Sequence, residues 1–132
     1  MANPSKVIGT KGETKVKRYL TEHGFPTERK PLAGSSDKGD LRMVRKDGSE
    51  VTVEVKAGRQ TDGYPRSLLR TWQGQTDKES ANSGWPAILV IVRYRRSLSD
   101  AEVWMRVDVG HGSEWVMTYL DDYVRMQEEI GG

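Results

Sequence analysis

The sequence contains no cysteine and only two histidines, His23 and His111. The absence of cysteine excludes disulfides, thiolate catalysis and cysteine-ligated zinc or iron–sulfur sites, and it fits a reducing compartment. Two histidines also argue against a zinc site built mainly from imidazole ligands. A catalytic metal in this chain would therefore have to be held by carboxylates.

Long apolar runs are missing as well. No run approaches the roughly 18 residues that cross a bilayer, and we see no basic region followed by an apolar stretch at the N-terminus, so we expect no signal peptide. The chain has 132 residues, of which 35% are hydrophobic and 30% charged. We expect a single domain over residues 1–132, with a loose terminus at 1–5 and a helical C-terminal extension at 113–132.

The small net charge of +2 conceals an uneven distribution. Residues 1–66 carry 14 basic and 9 acidic side chains, whereas residues 67–132 carry 7 basic and 10 acidic side chains. The first half is therefore a candidate surface for a polyanion such as nucleic acid.

Hydrophobic periodicity and turn signals predict the element order α-β-β-β-α-β-β-β-α, with a short last strand. Predicted helices cover residues 10–23, 67–82 and 118–129, with a weak point at Gly74 in the second. Predicted strands cover residues 25–30, 40–45, 49–56, 87–92, 102–109 and 115–117. The apolar run 87–92 is typical of a central strand buried on both faces. We therefore predict an α/β (α+β) fold, in which helices flank a mixed sheet.

Alternation along residues 102–109 predicts which side chains face the core. Val103, Met105, Val107 and Val109 should point inward. Trp104 should lie on the opposite face, exposed and available for a dimer contact.

The second and third strands are predicted to form a hairpin whose register can be derived. A three-residue loop that ends at Gly48, in the left-handed conformation, pairs Arg45 with Ser49 and Asp40 with Glu54. All apolar side chains of the two strands then share one face. A two-residue loop would shift the pairing by one residue and mix the faces. The hydrophobic pattern therefore favours the three-residue loop.

This register places Asp40 and Glu54 side by side, and Lys56 follows two residues later on the same face. Two neighbouring carboxylates repel each other unless a cation lies between them. Mg²⁺ or Mn²⁺ suits the pair, since hard cations prefer oxygen ligands. Lys56 could orient or deprotonate an attacking water, or offset charge that builds up on a phosphate.

Asp40 followed by Glu54-Val55-Lys56 resembles the signature of the PD-(D/E)XK nucleases, with Gly39 in place of the usual proline. The first helix carries Lys11-Gly12-Glu13, which resembles the additional acidic motif of that superfamily. These motifs, together with residues 24–26, 34–41 and 54–57, are similar to the Holliday junction resolvase-like branch. The sequence most resembles the short versions carried by phages of actinobacteria, and the resemblance covers residues 4–92.

The resemblance implies a restriction-endonuclease-like αβββαβ core and a homodimer that cuts two strands of branched DNA, with a role in DNA recombination and repair. It implies Mg²⁺- or Mn²⁺-dependent hydrolysis that leaves a 5′-phosphate, in the cytoplasm of a bacterium or of a phage-infected host. The implied metal ligands are Glu13, Asp40, Glu54 and the backbone carbonyl of Val55, and the implied catalytic lysine is Lys56. Gln73 or Gln75 would be an accessory residue, and spacing does not choose between them.

Basic residues clustered around the predicted site are candidates for contacts with DNA phosphates. They are Lys11, Lys15, Arg18, Lys38, Arg42, Arg59, Arg66 and Arg70. Three alternatives stay open from the sequence. One is a nuclease of the same fold with restriction-like, nicking or exonuclease activity, and another is a non-catalytic nucleic-acid-binding module. The third is a structural domain with a charged hairpin, whose affinity for DNA would not fall with rising salt.

Overall fold

The computed structural model describes residues 4–29 and 41–131, with side chains for residues 11–29 and 41–130. The helices are α1 (Pro4–Glu22), α2 (Arg66–Ser83) and α3 (Leu120–Gly131). The strands are β1 (Thr27–Arg29), β2 (Leu41–Val44), β3 (Glu50–Lys56), β4 (Ala87–Ile91), β5 (Glu102–Asp108) and β6 (Ser113–Tyr119). Short 3-10 turns lie at Arg59–Thr61 and Leu98–Asp100.

The six strands form one mixed sheet in the order β1-β2-β3-β4-β5-β6. Only β3 and β4 are parallel among these pairs, and α2 connects them, as a parallel crossover requires. Helices α1 and α3 pack on one face of the sheet, and α2 packs on the other. The predicted fold class, a mixed sheet flanked by helices, is confirmed.

The larger core lies between the sheet and the helices α1 and α3. Val16 and Leu20 of α1 and Leu120, Tyr123 and Val124 of α3 are buried in it. Residues 120–124 therefore belong to the same core as the preceding elements.

The smaller core lies under α2, where Trp72 packs against Leu89 and Ile91 of β4. Trp104 borders this core and is half-buried, with its indole N–H donating to Glu102 Oε1 at 3.2 Å. The expectation of an exposed Trp104 was therefore wrong, because α2 and its neighbours partly cover that face.

The hairpin has the predicted register in all its described pairs. Leu41 lies opposite Val53, and Met43 lies opposite Val51. Gly48 has φ of 86°, and its N–H donates to the carbonyl of Arg45 at 2.9 Å, which closes the three-residue loop. The predicted pair of Asp40 with Glu54 lies outside the described residues, because Asp40 is not among them.

Helix α1 begins earlier than predicted, and helix α2 lacks the predicted weak point. Helix α1 begins at Pro4 instead of near residue 10, which fits the preference of proline for a first helical turn. Helix α2 continues through Gly74 without interruption, because the buried Trp72 and Thr76 hold this segment against the sheet. None of the described helices has both the length and the apolar character needed to span a bilayer.

The end of the β5–β6 ribbon also differs from its prediction. Val107 and Val109 are 39% and 40% exposed, although alternation predicted that they point into the core. The alternation is present, but the described residues leave these two side chains largely uncovered, whereas Arg106 on the opposite face pairs with Asp77 of α2 at 2.8 Å.

Candidate active site

Helix α1 approaches the end of β3 unusually closely, and Gly12 is the reason. A Cβ atom added at Gly12 would lie 2.6 Å from the Cβ of Ala57, well inside van der Waals contact. Any other residue at this position would hold the helix away from the strand. The glycine therefore allows the next residue, Glu13, to reach the end of β3.

Strand β3 presents Glu54 and Lys56 on the sheet face opposite to the buried Val53. Their partners in the parallel ladder are Leu89 and Ile91 of β4, both fully buried. The Nζ atom of Lys56 lies 3.2 Å from Oε1 of Glu54, and the two side chains are only 16% and 6% exposed. The chain thus buries an ion pair at the edge of its smaller core.

The second carboxylate oxygen of Glu54, Oε2, is buried and has no hydrogen-bond partner among the described residues. A buried polar atom without a partner costs free energy, and such atoms in folded proteins call for an explanation such as a bound ion. An anionic oxygen of this kind is a suitable ligand for a hard divalent cation.

Glu13 lies within electrostatic reach of this ion pair. Burial raises the pKa of the Glu13 carboxyl, and the nearby Glu54 carboxylate raises it further. Arg29 lowers the same pKa through an ion pair of 3.1 Å, and Lys56 lowers it too. Glu13, Glu54 and Lys56 are therefore brought together, with two carboxylates and two cations in one partly buried cluster.

The remaining predicted ligands are placed less completely. Val55 lies on β3 between Glu54 and Lys56, whereas Asp40 lies outside the described residues. Within residues 4–29 and 41–131, no group of three or more His, Cys, Asp or Glu side chains could hold a metal. The predicted set of three carboxylates therefore depends on Asp40.

The two glutamines on α2 have no described hydrogen bond to Glu54 or Lys56. Gln73 is half-buried, and Gln75 has a buried Oε1 atom with no hydrogen-bond partner among the described residues. The structure therefore does not bring either of them to the cluster by a direct contact.

The predicted DNA-contacting residues lie in different parts of the molecule. Lys11 and Lys15 line an open cavity beside the end of β3, and Arg59 lies close by, donating to the hydroxyl of Tyr94 at 3.4 Å. Arg42 is engaged within the sheet, since it forms ion pairs with Glu28 and Glu50. The others are Arg18 on an exposed part of α1, Arg66 and Arg70 on the exposed side of α2, and Lys38, which lies outside the described residues.

Sequence reasoning missed two groups of basic residues near the cluster. Arg29 ends β1 and pairs with Glu13, and alternation within the predicted strand 25–30 could have drawn attention to it. The segment Arg93–Arg96 follows β4 and lines the same cavity as Lys11. Its signal was a basic run directly after a buried strand, at the edge where the parallel strands β3 and β4 end together.

No family model matches the sequence, and the search of the curated proteins found no match. Among solved structures, the chain is similar to that of Archaeoglobus fulgidus Hjc, a Holliday junction resolvase from an archaeal hyperthermophile. The TM-score is 0.52 and the identity 13%, over 89% of this chain and 95% of that chain. The fold is shared with a Holliday junction resolvase. At this identity, the likeness concerns the architecture alone.

Proposed function

We propose that this chain is a metal-dependent endonuclease that hydrolyses phosphodiester bonds of branched DNA, in particular of four-way junctions. The observation that carries the proposal is the convergence of Glu13, Glu54 and Lys56, in which one buried oxygen of Glu54 has no described partner. The fold shared with an archaeal resolvase and the resemblance of residues 4–92 to the PD-(D/E)XK signature both support this class of enzyme.

The residues present fit a hard divalent cation, Mg²⁺ or Mn²⁺. Oε2 of Glu54 is an available anionic oxygen, and Glu13 lies close enough for its charge to interact with that of Glu54. Glu13, Asp40, Glu54 and the backbone carbonyl of Val55 would hold the ion. When bound, it would supply Lewis-acid polarisation of the phosphate and activation of water.

The two cations of the cluster would act on the phosphate and on the carboxylates. Lys56, held by Glu54 at 3.2 Å, would orient the attacking water or offset the charge that develops on the phosphate oxygens. Arg29 would act through Glu13, because their ion pair fixes the direction of the Glu13 carboxylate. Arg29 is thus a positioning residue in this proposal.

A homodimer would present two such sites to the two strands of a junction. The excess of basic residues in the first half of the chain, which contains Glu13, Asp40, Glu54 and Lys56, supports DNA as the substrate. The setting we propose is the bacterial cytoplasm, including that of a cell infected by a phage encoding the chain.

The test is cleavage of a synthetic four-way junction and of a linear duplex of the same sequence. We expect paired symmetric nicks in the junction with Mg²⁺ or Mn²⁺, and none with a chelator. Equal cutting of both substrates would indicate a nuclease of another specificity. Binding without cleavage under every metal condition would indicate the non-catalytic module.

Glu54→Gln should reduce cleavage more than about 100-fold, because it removes an anionic ligand from the proposed set. Glu50→Gln is the matched control, since Glu50 lies on the same strand and the same face, four residues and about 13 Å away. Initial rates on the junction measure the difference. Similar rates for the Glu54→Gln protein and the unmodified chain would show that the cluster is not the active site.

A further inference from the structure

An open cavity of about 220 Å³ lies between α1 and the segment that follows β4. Its described lining includes five cationic side chains and no acidic one: Lys11, Lys15, Arg93, Arg95 and Arg96. Ala57 and Gly58, the two residues after Lys56, also line it. The cavity therefore begins one residue beyond the proposed catalytic lysine, and consecutive Cα atoms are about 3.8 Å apart.

Most of this positive charge is not neutralised by the described part of the protein. Arg93 pairs with the buried Glu102 at 3.5 Å. By contrast, no described carboxylate lies within 4.0 Å of the side-chain nitrogens of Lys11, Lys15, Arg95 or Arg96. Like charges gathered around one cavity repel each other, so an anion placed among them would be stabilised.

The segment after β4 is held in place by the loop after β3. The backbone N–H of Tyr94 donates to Oγ1 of the fully buried Thr61 at 2.8 Å. The Thr61 hydroxyl in turn donates to the carbonyl of Gly58 at 2.7 Å. Together with the pair of Arg93 and Glu102, these bonds fix the backbone from which the arginines of the cavity extend.

Arg95 adopts a backbone conformation that costs the chain free energy. Its φ of 59° lies in the left-handed region, and it is the only described non-glycine residue there. Its guanidinium lies over the ring of Tyr94, 5.0 Å from the centroid. Strained residues of this kind concentrate where a side chain has to be held for a ligand.

We infer that this cavity binds a phosphate group of the cleaved DNA strand close to the scissile phosphate, with Lys11 and Lys15 on one side and Arg95 and Arg96 on the other. The inference rests on the proposed function in taking DNA as the ligand. Guanidinium and ammonium groups are the side chains best suited to phosphate oxygens. The site would fix the position of the strand without reading its sequence.

The first test is the salt dependence of binding to a four-way junction in chelator, where no cleavage is needed. Arg96→Gln should weaken binding about 10-fold and reduce the slope of log Kd against log salt by roughly 1. Arg125→Gln is the matched control, because it removes the same charge from an exposed position on α3. An Arg96→Gln slope equal to that of the control would overturn the inference.

Arg95→Gly separates binding from stability. Glycine accepts a φ of 59° without strain, so we expect a thermal midpoint no lower than that of the unmodified protein. The affinity for the junction should nevertheless fall about 10-fold, since a phosphate contact is removed. An unchanged affinity would mean that Arg95 does not face a phosphate.

The third test uses a series of four-way junctions, in each of which one phosphate is replaced by a neutral methylphosphonate. The unmodified protein should bind more weakly when the replaced phosphate is the one in the cavity, at a position near the exchange point. The affinity of the Arg96→Gln protein should not change with replacement at that position. Identical position profiles for the two proteins would overturn the inference and leave the proposed nuclease activity standing. Conversely, a chain that shows these position effects but cuts no DNA with Mg²⁺ or Mn²⁺ would overturn the proposed function alone.

Discussion

At the scale of single residues, the protein concentrates polar contacts on one buried carboxylate, that of Glu102. Tyr64 donates its hydroxyl proton to Oε1 of Glu102, Trp104 donates to the same oxygen, and Arg93 pairs with Oε2. These contacts connect the loop after β3, strand β5 and the cationic cavity. Glu102 is thus a structural anchor for Arg93, a role that sequence patterns do not reveal.

The hydroxyl of Tyr64 should make stability fall at high pH. Burial, with the hydrogen bond to Glu102, raises its pKa from 10.0 to about 12. Between these values the unfolded chain loses the proton and the folded chain keeps it, so this contribution is complete below pH 10 and is lost as pH rises to about 12. Tyr64→Phe should therefore lessen the decrease in unfolding free energy over this range.

Urea unfolding at a series of alkaline pH values measures the effect. The ring of Tyr64 packs against Trp72 with 5.4 Å between centroids, and phenylalanine keeps this contact. The pKa of Tyr123 is also raised by burial. Because Tyr123 is present in both proteins, it contributes equally to the fall of their unfolding free energies with pH. If the unfolding free energies of the unmodified and Tyr64→Phe proteins fell in parallel with pH, the raised pKa of Tyr64 would be contradicted.

At the scale of elements, the contact between α1 and β3 decides whether the cluster can form. Gly12 is buried in this contact, whereas a Cβ at Gly74 of α2 would meet nothing within 4 Å. Substitution of glycine by alanine should therefore have opposite effects on stability at these two helical positions.

Gly74→Ala should stabilise the protein by about 0.5–1 kcal/mol, because alanine favours the helix. Gly12→Ala should instead destabilise it by roughly 1–3 kcal/mol, since the new methyl group overlaps Ala57. It should also reduce cleavage by moving Glu13. Denaturant unfolding compares the two, and Ala57→Gly should partly restore the Gly12→Ala protein. Equal stabilisation by both alanines would disprove the close contact.

The elements were largely predictable from the sequence because their signals are local. Alternation and a three-residue turn were sufficient for the hairpin register, as the pairing of Leu41 with Val53 confirms. Alternation does not show whether another element covers a face of a strand. It therefore could not predict that Val107 is exposed and Trp104 half-buried.

The cluster was predictable only in part. Glu54 and Lys56 share a face because they are two residues apart, and resemblance added Glu13. The cavity residues Arg95 and Arg96 were missed because only the parallel pairing of β3 with β4 brings them beside Ala57. That pairing joins residues more than thirty positions apart, beyond the range of a periodic pattern.

At the scale of the whole molecule, the C-terminal segment belongs to the main core and is not an appendage. Leu120, Tyr123 and Val124 are at most 3% exposed, and β6 pairs with β5 along seven residues. The described chain folds around a shared sheet from α1 to α3, so its stability depends on both ends.

A chain that ends after Tyr119 should be unfolded. It lacks three buried apolar side chains worth about 1.5–3 kcal/mol each, a sum comparable to the whole stability of a typical domain. A chain that ends after Gln127 should stay folded, because Glu128, Glu129 and Ile130 are exposed. Circular dichroism and thermal unfolding distinguish them. A cooperative transition in the shorter chain would show that the sheet is stable without α3.

The position of β3 inside the sheet also determines how long the geometry of this strand persists. Its backbone is paired with β2 along residues 50–53 and with β4 along residues 52–56, so amide protons in these ladders exchange with solvent only when the sheet opens as a unit. The segment Arg93–Arg96 is tied to this frame by the bond of the Tyr94 N–H to Thr61 and by the pair of Arg93 with Glu102. Glu54 and Lys56 therefore keep their spacing for as long as the molecule stays folded, and the backbone that carries the cavity arginines keeps its place beside them.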